Sequence, residues 1–85
     1  MTAAPSLKTR RVLVTGADGF LGRGVVAALA REGVSTLVAA DVREVPAERR
    51  LPGVTYLVQD VRDPALSQTL AAHAIDSVVH LASIV

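Results

Sequence analysis

The sequence predicts an α/β fold, a parallel sheet with helices on both faces. Two observations carry this reading: from Arg11 onward short continuous apolar runs alternate with amphipathic stretches, and the first run passes into a helix through a loop with three glycines at a spacing of three. A third bounds the size. The chain has 85 residues, of which 51% are hydrophobic and 20% charged, too apolar for a disordered tail and short enough to hold one core at most.

Residues 1–10 carry Thr, Ala, Pro and Ser without periodicity and read as a flexible leader, so the folded domain is placed at 11–85. Val12 to Thr15 is apolar and β-branched without alternation, the pattern of a central parallel strand buried on both faces. From Phe20 to Glu32, Leu21, Val25, Ala28 and Leu29 fall on one helical face, and Gly33 ends the helix. Thr36 to Ala40 is a second strand with Asp41 at its carboxyl end. Arg43 to Gly53, with Pro46, Pro52 and the charges Glu48, Arg49 and Arg50, reads as a solvated connection with room for one helical turn.

Val54 to Val58 is the third strand. Asp63 then caps a helix with Pro64 at its first helical position, and Leu66, Leu70 and Ala74 form the buried stripe of that helix. Ser77 to Ala82 is a fourth apolar run. Right-handed crossovers place the strands in the order 3-2-1-4, which puts the switch point between strands one and four. Ligands of open α/β sheets bind beyond the carboxyl ends of the strands at such a point.

Composition excludes several classes of function. Nine Lys plus Arg against eight Asp plus Glu give a net charge of +1 with the basic residues scattered, so neither nucleic acid nor an anionic membrane is an expected partner. With no cysteine there is no disulfide framework and no thiolate metal site, and a cytoplasmic location is expected. No apolar run reaches the ~20 residues of a membrane span. His73 and His80 have no partner at metal-ligand spacing and read as structural histidines.

The candidate site residues all lie at strand ends. In Thr15-Gly16-Ala17-Asp18-Gly19-Phe20-Leu21-Gly22, Gly16 permits the tight turn and Gly19 lets the backbone approach a pyrophosphate. Gly22 lets the helix lie against the strands, and the N–H groups around Phe20 and Leu21 face the phosphates. Asp18 reads as a capping residue turned away from them. A phosphate-loop NTPase needs Gly-Lys-Ser/Thr closing its loop, and here Gly22 is followed by Arg23-Gly24.

Asp41 stands 19 residues beyond Gly22 (41 minus 22), close to the ~20 expected for the acid that binds the adenosine ribose. A carboxylate there favours NAD over NADP, while Arg43, next to Val42, is a cation that a 2′-phosphate would meet. Asp60-Val61, at the end of the third strand, offers an acceptor for the adenine amine and an apolar wall for the ring, although Asp60 also suits a plain turn. Leu81, Ala82 and Ser83 follow the fourth strand on the nicotinamide side.

Together these residues resemble the amino-terminal part of an extended short-chain dehydrogenase/reductase of the NAD-dependent epimerase/dehydratase group. That group includes UDP-glucose 4-epimerases, sugar-nucleotide dehydratases and hydroxysteroid dehydrogenase relatives. The resemblance covers Arg11 to Val85: Thr15 to Gly22 matches the family's Thr-Gly-x-x-Gly-x-x-Gly, Asp41 its strand-two acid, Asp60-Val61 its adenine-side pair, and His80 to Ser83 its His-Leu-Ala-Ala/Ser strand. It implies a Rossmann-type fold truncated to about four strands and NAD as cofactor. It further implies hydride transfer on a sugar nucleotide or a related hydroxyl or keto substrate.

The family's proton transfer resembles a Tyr-x-x-x-Lys pair. Here Tyr56 is the only tyrosine, followed four residues later by Asp60, and Lys8 is the only lysine. The 85 residues alone are therefore expected to be inactive, as the cofactor-binding start of a longer enzyme whose carboxyl-terminal region binds substrate. The other reading is a natural, non-catalytic dinucleotide-binding or redox-sensing module, with the flank of its fourth strand open to homodimerisation or to pairing with a partner's strand.

Overall fold

The structure, a computed structural model, describes residues 7–81. A 3-10 turn at Leu7–Thr9 leads into β1 (Arg11–Thr15), α1 (Phe20–Arg31), β2 (Thr36–Asp41), a second 3-10 turn at Ala47–Arg49, β3 (Thr55–Val58), α2 (Leu66–Ala72) and β4 (Ser77–His80). The leader is thus ordered at its end, where the Lys8 side chain lies beside Gly33.

All strand pairs are parallel, in the order β3-β2-β1-β4. Arg11 pairs with Thr36 and Thr15 with Ala40 across β1–β2, Thr15 with His80 across β1–β4, and Asp41 with Val58 across β2–β3. Thr15, Asp41, Val58 and His80 therefore end their strands on the same side of the sheet. This is the order expected from right-handed crossovers.

Successive strand residues point to opposite faces, and the core divides accordingly. Val12, Val14, Leu37 and Ala39 pack with Ala17 and Val26 beneath α1. Leu13, Val38 and Ala40 pack with Leu57, Leu66, Leu70 and Ile75 beneath α2. Each fully buried Val or Leu contributes ~1.5–3 kcal/mol of burial free energy, so the two central strands carry most of the core.

Two packing expectations need correction. The inward face of α1 is centred on Gly22 and Val26, with Val25 and Leu29 beside them, whereas Leu21 is exposed. The cause is Gly22: a Cβ there would overlap Gly16 O and come within 2.8 Å of Ala17 Cα, so this residue must face the strand and fixes the rotation of the helix. In the second helix Ala74 is exposed, and Ile75 takes the core position assigned to it.

Both helices end in the same hydrogen-bonded motif. In α1, Val34 N–H donates to Leu29 O and Gly33 N–H to Ala30 O, with Gly33 at φ 75°. In α2, Ile75 N–H donates to Leu70 O and Ala74 N–H to Ala71 O, with Ala74 at φ 50°. Ala74 thus adopts the left-handed conformation in a residue that has a Cβ. Asp63 Oδ1 accepts from Ala65 N–H at 2.8 Å, closing a turn ahead of the helix; the N-cap is Ala65, with no side-chain cap, and the helix begins at Leu66, which corrects the capping role expected of Asp63 and the first helical position expected of Pro64.

Candidate dinucleotide site

β1 ends at the glycine loop. Gly16 takes φ 67°, a left-handed turn open to glycine, and redirects the chain toward α1. Gly19 is the N-cap of α1, and a Cβ added there would meet Gly16 O at 3.3 Å. No side chain caps this helix start, which corrects the capping role expected of Asp18. The first intrahelical bond is Arg23 N–H to Gly19 O, so the N–H groups of the first turn precede the helical ladder and suit an anion, reinforced by the helix dipole.

Asp41 closes the other side. Its Oδ2 accepts from Asp18 N–H at 2.9 Å and its Oδ1 from Arg43 N–H at 3.2 Å. Each carboxylate oxygen accepts more than one hydrogen bond, so the main chain holds Asp41 in place without exhausting it. Asp41 also anchors the neighbouring strand end, its carbonyl accepting from Gln59 N–H at 2.8 Å.

Between these parts lies a cleft of about 250 Å³ lined by Gly16, Gly19, Asp41, Val42, Gln59, Val61 and Leu81. Six of these seven are residues singled out from the sequence. Gln59 is the one that sequence reasoning missed. Its signal is the orphaned oxygen: Gln59 Oε1 is buried and has no hydrogen-bond partner among the described residues.

The other described candidates lie outside the cleft lining. The Phe20 and Leu21 side chains are exposed at the start of α1, 88% and 67% accessible. Asp18 turns its carboxylate to Arg49, which binds it through Nε at 3.1 Å and Nη2 at 2.7 Å. That hydrogen bond holds the Asp18 carboxyl below its ordinary pKa. Asp60 is clasped by Arg62, with Nη2 to Oδ2 at 2.7 Å, and its pKa is lowered to about 2 by that hydrogen bond first and by the Arg62 backbone N–H second. Its carbonyl also accepts from Asp63 N–H, closing the turn. Ala82 and Ser83 lie outside the described residues.

The charged connection is more than a solvated face. Arg49 reaches the glycine loop, Arg50 donates to Val45 O and pairs with Glu44, and Val45 itself is buried. Together with α1 this connection borders a second cavity of about 310 Å³, on which Ala17, Asp18, Arg49 and Tyr56 open. The Tyr56 hydroxyl accepts from Leu51 N–H at 2.9 Å, which gives the tyrosine a structural task.

Both histidines have partners, as expected of structural ones. His73 Nδ1 lies 3.0 Å from Thr69 O, and His80 Nδ1 lies 2.7 Å from Thr15 Oγ1. Leu81 N–H donates to Thr15 O at 3.1 Å and approaches Thr15 Oγ1 at 3.2 Å, so the ends of β1 and β4 are joined below the cleft. Among the described residues no group of three or more potential metal ligands occurs, and no helix is long and apolar enough to cross a membrane.

A four-stranded parallel sheet with a glycine-lined helix start and an acid at the end of the adjacent strand defines a Rossmann-type α/β domain. The model of the NAD dependent epimerase/dehydratase family matches residues 12–85, and the chain belongs to that family. Among solved structures it is similar to a GalE-like L-threonine dehydrogenase from Cupriavidus necator in its holo form, at 27% identity and TM-score 0.75 over 88% of this chain and 24% of that one. It is similar to a partial-consensus L-threonine 3-dehydrogenase at 31% identity and TM-score 0.73, over 88% of this chain and 24% of that one. A UDP-glucose 4-epimerase from the hyperthermophile Thermotoga maritima, solved with UDP-glucose, matches at 27% identity and TM-score 0.72, over 86% of this chain and 24% of that one. The chain thus spans about a quarter of the length of these relatives. No curated protein matches it.

Proposed function

We propose that these residues bind NAD at the carboxyl end of the sheet, as the cofactor-holding part of an enzyme that oxidises and reduces a hydroxyl or keto group, with a sugar nucleotide as the favoured substrate class. The observation that carries the reading is the cradle itself: an uncapped α1 start over Gly16 and Gly19, facing Asp41 across a cleft. The residues present fit the cofactor. Gly19, where a Cβ would press on Gly16 O at 3.3 Å, lets the loop fold tightly over the start of α1, whose first-turn N–H groups would bind the pyrophosphate oxygens. Both Asp41 oxygens, steadied by Asp18 and Arg43 N–H groups, would accept from vicinal ribose hydroxyls and repel a 2′-phosphate, which favours NAD over NADP.

NAD supplies a hydride acceptor when bound. The chain's own part is binding and orientation, since the Tyr56 hydroxyl is committed to Leu51 N–H. In this reading the proton-transfer groups come from other parts of the protein, and the work is done in the cytoplasm. The test is calorimetric titration of NAD and NADP into the protein and its Gly19→Val variant. Tight NAD binding that the variant loses, with the fold retained by circular dichroism, is the expected result; unchanged affinity in the variant would sink the assignment.

A further inference from the structure

The charged connection between β2 and β3 reaches back to the glycine loop through Asp18. The Asp18 N–H donates to Asp41 Oδ2 at 2.9 Å, while its carboxylate is gripped by Arg49, Nε to Oδ1 at 3.1 Å and Nη2 to Oδ2 at 2.7 Å. A guanidinium that binds both oxygens of a carboxylate fixes its orientation as well as its position. The pair is partly shielded, with the Asp18 side chain 15% accessible and that of Arg49 39%. The Arg49 hydrogen bond first, and the charges of Arg49, Arg23 and Arg43 after it, favour the ionised Asp18. Arg49 is itself seated: its N–H donates to Pro46 O at 2.9 Å, and the connection is fastened to the core by the buried Val45, whose carbonyl accepts from Arg50 Nε at 2.8 Å. Asp18 thus stands between the ribose acid and Arg49, bound to one by its main chain and to the other by its side chain.

We propose that Arg49, acting through Asp18, is a positioning residue for the dinucleotide: it fixes the N–H that aims the Asp41 carboxylate at the adenosine ribose. This rests on the dinucleotide reading above and deepens it. Arg49 borders the second cavity and does not line the cleft, so its part is pre-organisation and not contact. With the clasp in place the turn at Asp18 and the Asp41 rotamer are ordered on folding; without it they are ordered at the expense of binding. Only a ligand that uses Asp41 senses Arg49.

The experiment compares NAD with nicotinamide 2′-deoxyadenine dinucleotide, in which a hydrogen replaces the adenosine 2′-hydroxyl, by calorimetry on the protein in its full length. The parent is expected to bind NAD about tenfold more tightly, the worth of one hydrogen bond to a carboxylate. Arg49→Gln should weaken NAD about fivefold and the deoxy analogue little, so that the ratio falls to about twofold. Asp18→Ala, which removes the carboxylate and keeps the N–H, should produce the same fall, and the double variant no more than either alone. Arg31→Gln, which takes the same charge from the last turn of α1, should leave the ratio at its parent value. Both ligands are read on the same variant, so a general loss of stability cancels from the ratio; should Arg49→Gln fail to fold, Asp18→Ala reads the same clasp. A ratio unchanged in either single variant, losses that add in the double variant, or an equal fall in Arg31→Gln overturns the proposal while leaving the dinucleotide site intact. A parent that binds the two dinucleotides equally overturns the ribose role of Asp41 and the proposal with it, and a parent that binds neither overturns the dinucleotide reading as well.

Discussion

The β1–α1–β2 unit and the β3–α2–β4 unit share the order strand, helix, strand, but the first supplies the two central strands and the second the two edges, and they differ in how fully their residues are buried. In the first, β1 from Val12 onward and β2 from Leu37 to Ala40 are buried residue after residue, and a twelve-residue helix is keyed to the sheet by Gly22 and Val26. In the second, burial alternates along β4 and is only partial on β3, Val58 and Val78 are exposed, and a seven-residue helix contains no fully buried residue. The first helix ends on Gly33, the second on a left-handed Ala74. The glycine cradle and Asp41 belong to the first unit, Gln59 and Val61 to the second. The candidate phosphate and ribose contacts thus sit on the more fully buried half, and the rest of the cleft lining on the less buried one.

The largest effect should come from breaking the key of the first unit. Gly22→Val places side-chain atoms on the backbone of Gly16 and Ala17 and should cost about 3 kcal/mol or more in chemical denaturation. Paired truncations sharpen the contrast: Leu13→Ala in β1 should cost about 2–5 kcal/mol, and Leu70→Ala in the partly buried α2 about half as much. At the site, Asp41→Ala should weaken NAD about tenfold and narrow the NAD-to-NADP ratio in the same titrations.

Changes in the second unit should be smaller. Ala74→Gly removes the left-handed penalty and should stabilise by about 0.5–1 kcal/mol, narrowing the difference between the helix ends. Smallest is a pH effect. The Arg62 clasp lowers Asp60 from 3.8 to about 2, so in that window the unfolded state binds more protons. The contribution is present above pH 3.8 and lost as pH falls toward about 2. Asp60→Asn should therefore flatten the acid limb of the stability curve, read by urea melts at successive pH values.

The sheet order and the glycine loop were legible because they rest on local rules: β-branched runs, a fixed glycine spacing and right-handed crossovers. The face of α1 was not, since Leu21 and Val25 share a helical stripe with Leu29 and only the contact of Gly22 with Gly16 decides which way the helix turns. The charges of the β2–β3 connection were also opaque. That Arg49 would reach Asp18, 31 residues away, depends on how the chain crosses over α1. Gln59 was invisible for a related reason: a glutamine after a strand is ordinary in sequence, and only the burial of its Oε1 without a hydrogen-bond partner among the described residues marks it.

The most direct test of the central claim is a crystal structure of the protein grown with NAD. The pyrophosphate is expected at the start of α1 above Gly16 and Gly19, with the adenosine ribose hydroxyls on Asp41. NAD bound elsewhere, or this cleft vacant at a saturating concentration, would contradict the account.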